Sequence, residues 1–375
     1  MQMYYHFIRP IIRSTFVILL ACLVVAFCLR RLIPSKSLPF EAVRLVNTNE
    51  WRPTTNTSFI DNLEGSSQIR TPVYAWLSHH EVLACRKHGN FQFEFFRFDT
   101  TSNKETNLVQ LNEKIAESSI GLEDGFRLSP DGKFILWHTT HFGASKAASW
   151  HIASLDATYF SDYTVPNPFL TSGDFAPASN GITSWDWEQD SQHWTFLSDE
   201  ITGTLRFLRY AKDDNTVIKP IEISLGSKYN KTWSGEPVQL IGFTDEGRSL
   251  STTWNSALST INILEASIKQ PFQPIRVFSI HLPHHSLVQS VYLSPQKNKL
   301  LWDFITRTVP HTPSTKFQHG DVEEIWVSNA DGNNMKRVSL LPLDQYSPLT
   351  SVFWMPDGKQ ASFIYDNNLY KIQVP

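Results

Sequence analysis

The sequence predicts an all-β protein, a six-bladed β-propeller with four-stranded blades, preceded by one N-terminal transmembrane helix. Three observations predict this fold: a recurring strand–turn–strand unit, one apolar run near the N-terminus, and an aromatic content of 13%, which favours strands packed face to face. The predicted domains are an N-terminal segment at 1–33 with its anchor at about 14–33, a linker at 34–40, and the propeller at 41–375.

The apolar run Ser14–Leu29 carries no charge, and Leu32 and Ile33 extend it towards the roughly 20 residues that a membrane span needs. A cleavable signal peptide and a lipid anchor at Cys22 are the alternatives. Because no A-x-A site follows and Arg30 opens a basic pair, we predict an uncleaved, single-pass anchor. A large domain behind such an anchor is more often exported, so we expect the propeller on the extracytoplasmic side.

A proline-containing linker with Pro34 and Pro39 follows the anchor. The next segment, Glu41–Asn47, has the alternation of an outer blade strand but no blade of its own. We predict that it pairs with the C-terminal strand, which closes the ring and covers an open sheet edge.

The repeat is clearest in Phe126–Trp137, where alternating apolar residues lead into a Ser-Pro-Asp-Gly turn and leave it again. Proline presets φ, aspartate bonds back to the backbone and glycine accepts a positive φ, so the segment predicts a hairpin. Five further copies occur, the first one residue shorter, at Ala75–Ala84, Trp185–Phe196, Ile241–Thr252, Val291–Trp302 and Val352–Phe363.

A second hairpin follows each copy and completes a four-stranded blade. The predicted third strands are Phe91–Phe98, Trp150–Leu155, Leu205–Tyr210, Thr260–Leu264, Glu324–Ser328 and Asn368–Val374. The predicted fourth strands are Asn107–Leu111, Tyr163–Val165, Val217–Ile223, Ile275–Ile280 and Met335–Ser339.

Ser129–Lys133, with the sequence Ser-Pro-Asp-Gly-Lys, and the later Glu324–Gly332 followed by Lys336–Val338 resemble the TolB-like (WD40-like, PD40) propeller repeat. The resemblance covers about residues 40–375. It implies a fold used mostly for protein–protein interaction in the bacterial envelope, and sometimes to carry an enzyme's substrate. Fold alone does not fix function.

Composition excludes several classes of function. The net charge of −3 provides no basic surface for nucleic acid, so we expect no nucleic-acid partner. Cys85 is the one cysteine outside the apolar run, which leaves no internal disulfide to form in the propeller. The sequence has no G-x-S-x-G, H-E-x-x-H, P-loop or G-x-G-x-x-G motif. We therefore assign no catalytic, cofactor-binding or metal-binding residue and expect no cofactor.

The longer connections join second to third strands and successive blades, and in a propeller both types emerge on one face. They contain most of the histidines, namely His88, His138, His141, His281, His284, His285, His311 and His319. Imidazoles converging on the channel could bind metal, but these belong to different blades, and histidine is common in polar loops. Four acidic residues are candidates for acid–base chemistry or simply for turn and solvent positions: Asp174, Asp186, Asp303 and Asp321.

The resulting prediction is a membrane-tethered scaffold in the bacterial cell envelope that binds a protein or peptide partner at its long-loop face. The alternative is a propeller enzyme, a hydrolase or lyase, with a His/Asp site in the central funnel.

Overall fold

The computed structural model contains, in its described residues, six antiparallel sheets of four strands each. This confirms the all-β, six-bladed propeller, and the elements belong to a compact unit at Glu41–Pro375. The residues that the structure describes are 42–48, 73–88, 92–118, 122–140, 147–166, 184–200, 204–224, 239–255, 260–267, 276–282, 286–308, 320–343, 349–365 and 368–375.

Strand β1 (Val43–Asn47) precedes blade 1, and each blade is numbered from the channel outwards. Blades 1 and 2 consist of β2 (Val73–Trp76), β3 (Glu81–His88), β4 (Gln92–Asp99), β5 (Lys104–Asn107), then β6 (Leu122–Leu128), β7 (Phe134–Thr140), β8 (Ala147–Ser154), β9 (Phe160–Pro166). Blades 3 and 4 consist of β10 (Ser184–Trp187), β11 (His193–Glu200), β12 (Thr204–Ala211), β13 (Asp214–Ser224), then β14 (Gln239–Phe243), β15 (Arg248–Asn255), β16 (Thr260–Ser267), β17 (Arg276–His281). Blades 5 and 6 consist of β18 (Ser286–Leu293), β19 (Lys299–Thr306), β20 (Val322–Asn329), β21 (Lys336–Pro342), then β22 (Thr350–Trp354), β23 (Gln360–Tyr365), β24 (Asn368–Gln373).

The six innermost strands form a closed ring around the central channel. Each innermost strand contacts the innermost strands of the blades on either side, and β22 contacts β2; the six strands are β2, β6, β10, β14, β18 and β22.

Blade 6 has the order β1–β24–β23–β22, so its outer strand comes from the N-terminal end of the propeller. Strand β1 runs antiparallel to β24, from Val43 opposite Lys371 to Asn47 opposite Asn368. The predicted closure of the ring is therefore confirmed.

The turns between first and second strands all lie on one face, which we call the turn face. In blade 2 the Ser129 hydroxyl accepts a hydrogen bond from the Phe134 N–H at 2.9 Å, and Gly132 takes a φ of +71°. Neighbouring turns also bond to each other: the Asp131 N–H donates to Ser191 Oγ at 3.1 Å and Gln296 Nε2 donates to the Asp357 carbonyl at 2.7 Å. The strand ends that the second-to-third-strand and inter-blade connections join consequently lie on the opposite face, which we call the loop face.

Large aromatic side chains fill the spaces between blades, as the repeat predicts. Trp150 of blade 2 lies 4.7 Å from Trp194 of blade 3, measured between ring centroids, and Trp194 stacks on Tyr210 at 4.5 Å. A second cluster joins blades 4 and 5 through Ile263 and Trp302. Face-to-face burial of this kind fixes how adjacent sheets pack against each other.

One predicted strand is wrong. Asn107–Leu111 was predicted as the fourth strand of blade 1, but that strand, β5, ends at Asn107 and a helix, α1 (Val109–Ser118), follows. Leu111 and Ile115, one helical turn apart, are buried between blades 1 and 2. The outer edge of blade 1 is thus completed by a short strand and an amphipathic helix.

The predicted anchor at about 14–33 and the linker at 34–40 lie outside the described residues. In the part of the chain that the structure describes, no helix combines the length and apolar character required for a membrane crossing.

Candidate functional site

Charged and polar side chains from three blades meet around the channel. Arg127 comes from β6 in blade 2, Asp186 from β10 in blade 3, and Tyr292 from β18 in blade 5. Blades 2 and 5 lie opposite each other in a six-bladed ring. Burial raises the pKa of both Tyr292 and Asp186, and the charge of Arg127 opposes the rise in each, so these groups interact across the channel.

Asp186 lies at the end of this channel nearer the turn face. Burial raises the pKa of its carboxyl, while the charges of Arg127 and Lys297 and a 2.8 Å hydrogen bond from the Trp187 N–H oppose that rise. Burial lowers the pKa of Lys297, which sits in the blade 5 turn, against the opposing charges of Asp186 and Asp245. Blades 2, 3 and 5 are therefore linked by charge–charge interactions in the channel.

A pair of carboxyls, which we call the acid pair, lies in blade 5 towards blade 6. It consists of Asp303 on β19 and Glu323 on β20, with relative exposures of only 4% and 2%. Their strands pair with Asp303 opposite Ile325 and Ile305 opposite Glu323, which puts the two carboxyls on one face as diagonal neighbours.

Each carboxyl of the acid pair has one oxygen held by a donor from another strand. Ser290 lies opposite Asp303 on β18, and its hydroxyl donates to Asp303 Oδ2 at 3.5 Å. The Leu349 N–H, at the entry to blade 6, donates to Glu323 Oε2 at 2.6 Å. The acid pair thus connects the inner strands of blades 5 and 6.

The remaining oxygens, Asp303 Oδ1 and Glu323 Oε1, are buried and receive no donor from the described residues. The two side chains are within hydrogen-bonding reach of each other. Burial raises the pKa of Asp303 to about 7, and burial together with the Asp303 charge raises the pKa of Glu323 well above its ordinary value. Such a pair can share one proton or hold a cation between its oxygens.

The four acidic candidates from the sequence have different outcomes. Asp186 and Asp303 both belong to the channel region. Asp321 is buried, and its Oδ1 accepts hydrogen bonds from the Thr308 N–H at 2.9 Å and hydroxyl at 3.1 Å, which anchors the end of β19 to the start of β20. Asp174 lies outside the described residues. The sequence reasoning missed Glu323; its one signal is a charged side chain that alternates with the apolar residues Ile325 and Val327 along β20.

The histidine-rich loop site is not tested by the described residues. His281 is exposed at the end of β17, with its Nδ1 at 3.2 Å from Thr260 Oγ1. His88 and His138 end up within strands β3 and β7 rather than in loops. The other predicted loop histidines lie outside the described residues: His141, His284, His285, His311 and His319.

A second polar cluster lies on the turn face of blade 3. Potential ligand atoms of Glu188, Asp190 and His193 lie within 4.8 Å of one another, beside a cavity of about 280 Å³ between blades 3 and 4. Arg209 neutralises Glu188 through bonds of 2.5 and 2.7 Å, and His193 Nδ1 lies 2.6 Å from Asp190 Oδ2. These internal pairings stabilise the hairpin of blade 3.

No protein-family model matches the chain, and no curated protein matches it significantly. Among solved structures it is similar to TolB from Acinetobacter baumannii, with 11% identity, a TM-score of 0.45 and coverage of 79% of this chain and 64% of that one, which is less than two thirds of TolB. A putative 6-phosphogluconolactonase from Bacteroides uniformis has 13% identity, a TM-score of 0.43 and coverage of 79% and 78%. The β-propeller domain of the Trilobed protease from Pyrococcus furiosus has 11% identity, a TM-score of 0.32 and coverage of 78% of each chain. The assignment as a six-bladed β-propeller rests on the hydrogen-bonded sheets themselves.

Proposed function

We propose that the chain is a membrane-tethered scaffold of the bacterial cell envelope, with a TolB-like propeller on the extracytoplasmic side that binds a protein or peptide partner on its loop face. The observation that carries this proposal is the asymmetry of the two faces. On the turn face, short turns are closed by their own side chains and bonded to the next blade, as at Asp131–Ser191 and Gln296–Asp357. On the loop face, the strand ends are joined by long segments of the sequence, among them 167–183, 225–238 and 309–319.

A closed ring suits this role because it holds the ends of the long connections at fixed positions. Burial between blades and the pairing of β1 with β24 make the sheets a rigid base for the loop face. Partner binding then depends on loop residues, whereas the stability of the fold depends on the packed sheets.

Site-specific photo-crosslinking in the full-length, membrane-inserted protein tests the proposal. A photoreactive residue at His284 or His311, in the segments that join β17 to β18 and β19 to β20, should give a discrete crosslinked partner, identified by mass spectrometry. The matched positions are Lys133 and Glu246, exposed in turns on the turn face, where that product should be absent. Equal crosslinking from both faces, or crosslinks from the turn face alone, would contradict the assignment of the binding surface. Protease protection in sealed vesicles tests the membrane orientation separately.

A further inference from the structure

We propose that the acid pair, Asp303 and Glu323, is a binding site for a hard divalent cation of the Ca²⁺ type, buried in blade 5 on the side towards blade 6. The site is independent of the proposed scaffold function and would exist whatever partner the loop face binds.

The first argument is the unequal bonding of the four carboxylate oxygens. Ser290 and the Leu349 N–H each donate to one oxygen of the pair, Asp303 Oδ2 at 3.5 Å and Glu323 Oε2 at 2.6 Å. The other two oxygens, Asp303 Oδ1 and Glu323 Oε1, are buried and receive no donor from the residues that the structure describes. A buried oxygen without a partner costs free energy, and two neighbouring carboxylates repel each other when both are ionised.

The second argument is charge. In the described part of the chain, the pKa shifts of these two carboxyls come from burial, from each other, from Ser290 and from the Leu349 N–H, and no basic side chain contributes to either shift. The charge of Asp303 also acts on Tyr292. By contrast, the buried Glu188 of blade 3 is paired with Arg209 in two hydrogen bonds. Two carboxylates without a basic partner have the charge that one divalent cation neutralises.

The third argument is the chemistry of the donors. The acid pair and Ser290 offer only oxygen atoms, which are the ligands of Ca²⁺, and bound water would supply the remaining ligands. The cluster of Glu188, Asp190 and His193 includes an imidazole, a ligand that suits zinc. The two clusters therefore differ in the metal they should select.

The test is thermal melting and calorimetric titration of the full-length protein in mild detergent, after treatment with a chelator. Added Ca²⁺ should raise the Tm by roughly 3–6 °C at saturating concentration and titrate with a stoichiometry of one. The nearly isosteric variants Asp303→Asn and Glu323→Gln should lose both effects. The matched variant His193→Gln, in the blade 3 cluster, should keep them.

Two results overturn the proposal. One is wild-type protein with neither a Tm shift nor heat of binding, which means that the acid pair holds a proton only. The other is a Ca²⁺ response that survives in the Asp303→Asn/Glu323→Gln double variant or disappears in His193→Gln. If the acid-pair variants do not fold, the wild-type protein is tested by terbium luminescence, which is excited through nearby aromatic side chains. Emission that Ca²⁺ displaces supports the site, and absence of sensitised emission overturns it.

Discussion

Gly358 and Gly132 occupy equivalent turn positions in blades 6 and 2, with φ values of +59° and +71°, but their surroundings differ. A Cβ at Gly132 would meet nothing within 4 Å, whereas one at Gly358 would overlap the Gln296 side chain. Gly132→Ala should therefore cost only the backbone penalty, about 1–2 kcal/mol. Gly358→Ala should cost about 1 kcal/mol more, because Gln296 must give up its 2.7 Å bond to the Asp357 carbonyl. Urea unfolding of both variants measures the difference, and equal losses would contradict the inter-blade role of Gln296.

Asp186 gives a pH dependence whose sign follows from burial. Because burial raises the pKa of this carboxyl in the folded protein, the folded state keeps its proton at pH values where the unfolded chain has lost it. The Asp186 contribution to stability therefore falls as pH rises above the ordinary value of 3.8, and levels off once the folded pKa is passed. Asp186→Asn should remove that slope, which for one proton is at most about 1.4 kcal/mol per pH unit.

Urea unfolding of wild type and Asp186→Asn from pH 4 upwards makes this comparison, with Asp213→Asn at an exposed position as the control. The difference between wild type and Asp186→Asn should widen with pH in favour of the variant. A constant difference across the range would show that Arg127 and Lys297 compensate fully for the burial of Asp186.

At the residue level, sequence reasoning found part of the channel site. Asp186 and Asp303 could be selected because carboxyls stand out in otherwise apolar strand repeats. Glu323 could not, because its significance depends on strand register, which makes it the diagonal neighbour of Asp303, and on the Leu349 N–H from the next blade. Contacts of this kind depend on tertiary packing, which a local pattern does not encode.

At the level of elements, the Ser-Pro-Asp-Gly type of turn made the hairpins predictable, because its chemistry is local. Helix α1 was missed because the repeat led us to expect a strand where the sequence has a helical i, i+4 pair, Leu111 and Ile115. Asn112 makes this exception possible: its side-chain amide takes the place of a neighbouring strand by accepting from the Phe95 N–H at 2.7 Å and donating to the Phe95 carbonyl at 2.9 Å.

Replacing Asn112 should accordingly loosen the edge of blade 1. Asn112→Ala removes both bonds to the Phe95 backbone and should cost about 1–3 kcal/mol in unfolding free energy. The Phe95 amide should also exchange with solvent faster, as measured by hydrogen exchange. Glu113→Ala, at an exposed position of the same helix, should change the unfolding free energy by no more than about 0.5 kcal/mol. It should leave the exchange rate of the Phe95 amide unchanged. Unchanged exchange at Phe95 in Asn112→Ala would show that Asn112 is dispensable for this edge.

At the level of the whole molecule, the number of blades followed from counting repeats, and the closure of the ring followed from one unpaired strand pattern at 41–47. The channel did not follow in the same way. Arg127 and Tyr292 are far apart in the sequence and belong to opposite blades, so their interaction exists only once the ring has closed. The central site is thus a property of the complete ring and should respond to anything that opens it.

Opening the ring at β1 is the corresponding experiment. Leu45 and Val46 pack against the cluster shared by blades 1 and 6, whereas Val43 in the same strand is 54% exposed. Deleting residues 38–48 removes that packing and the pairing with β24, and should lower the unfolding free energy by about 3–6 kcal/mol. Leu45→Asp should reproduce a large part of this loss, since it places a charge against an apolar cluster, while Val43→Asp should be close to neutral.

Denaturant unfolding of the three variants measures these losses of unfolding free energy. Equal stability of Leu45→Asp and Val43→Asp, with the deletion melting like wild type, would mean that the ring does not depend on this strand.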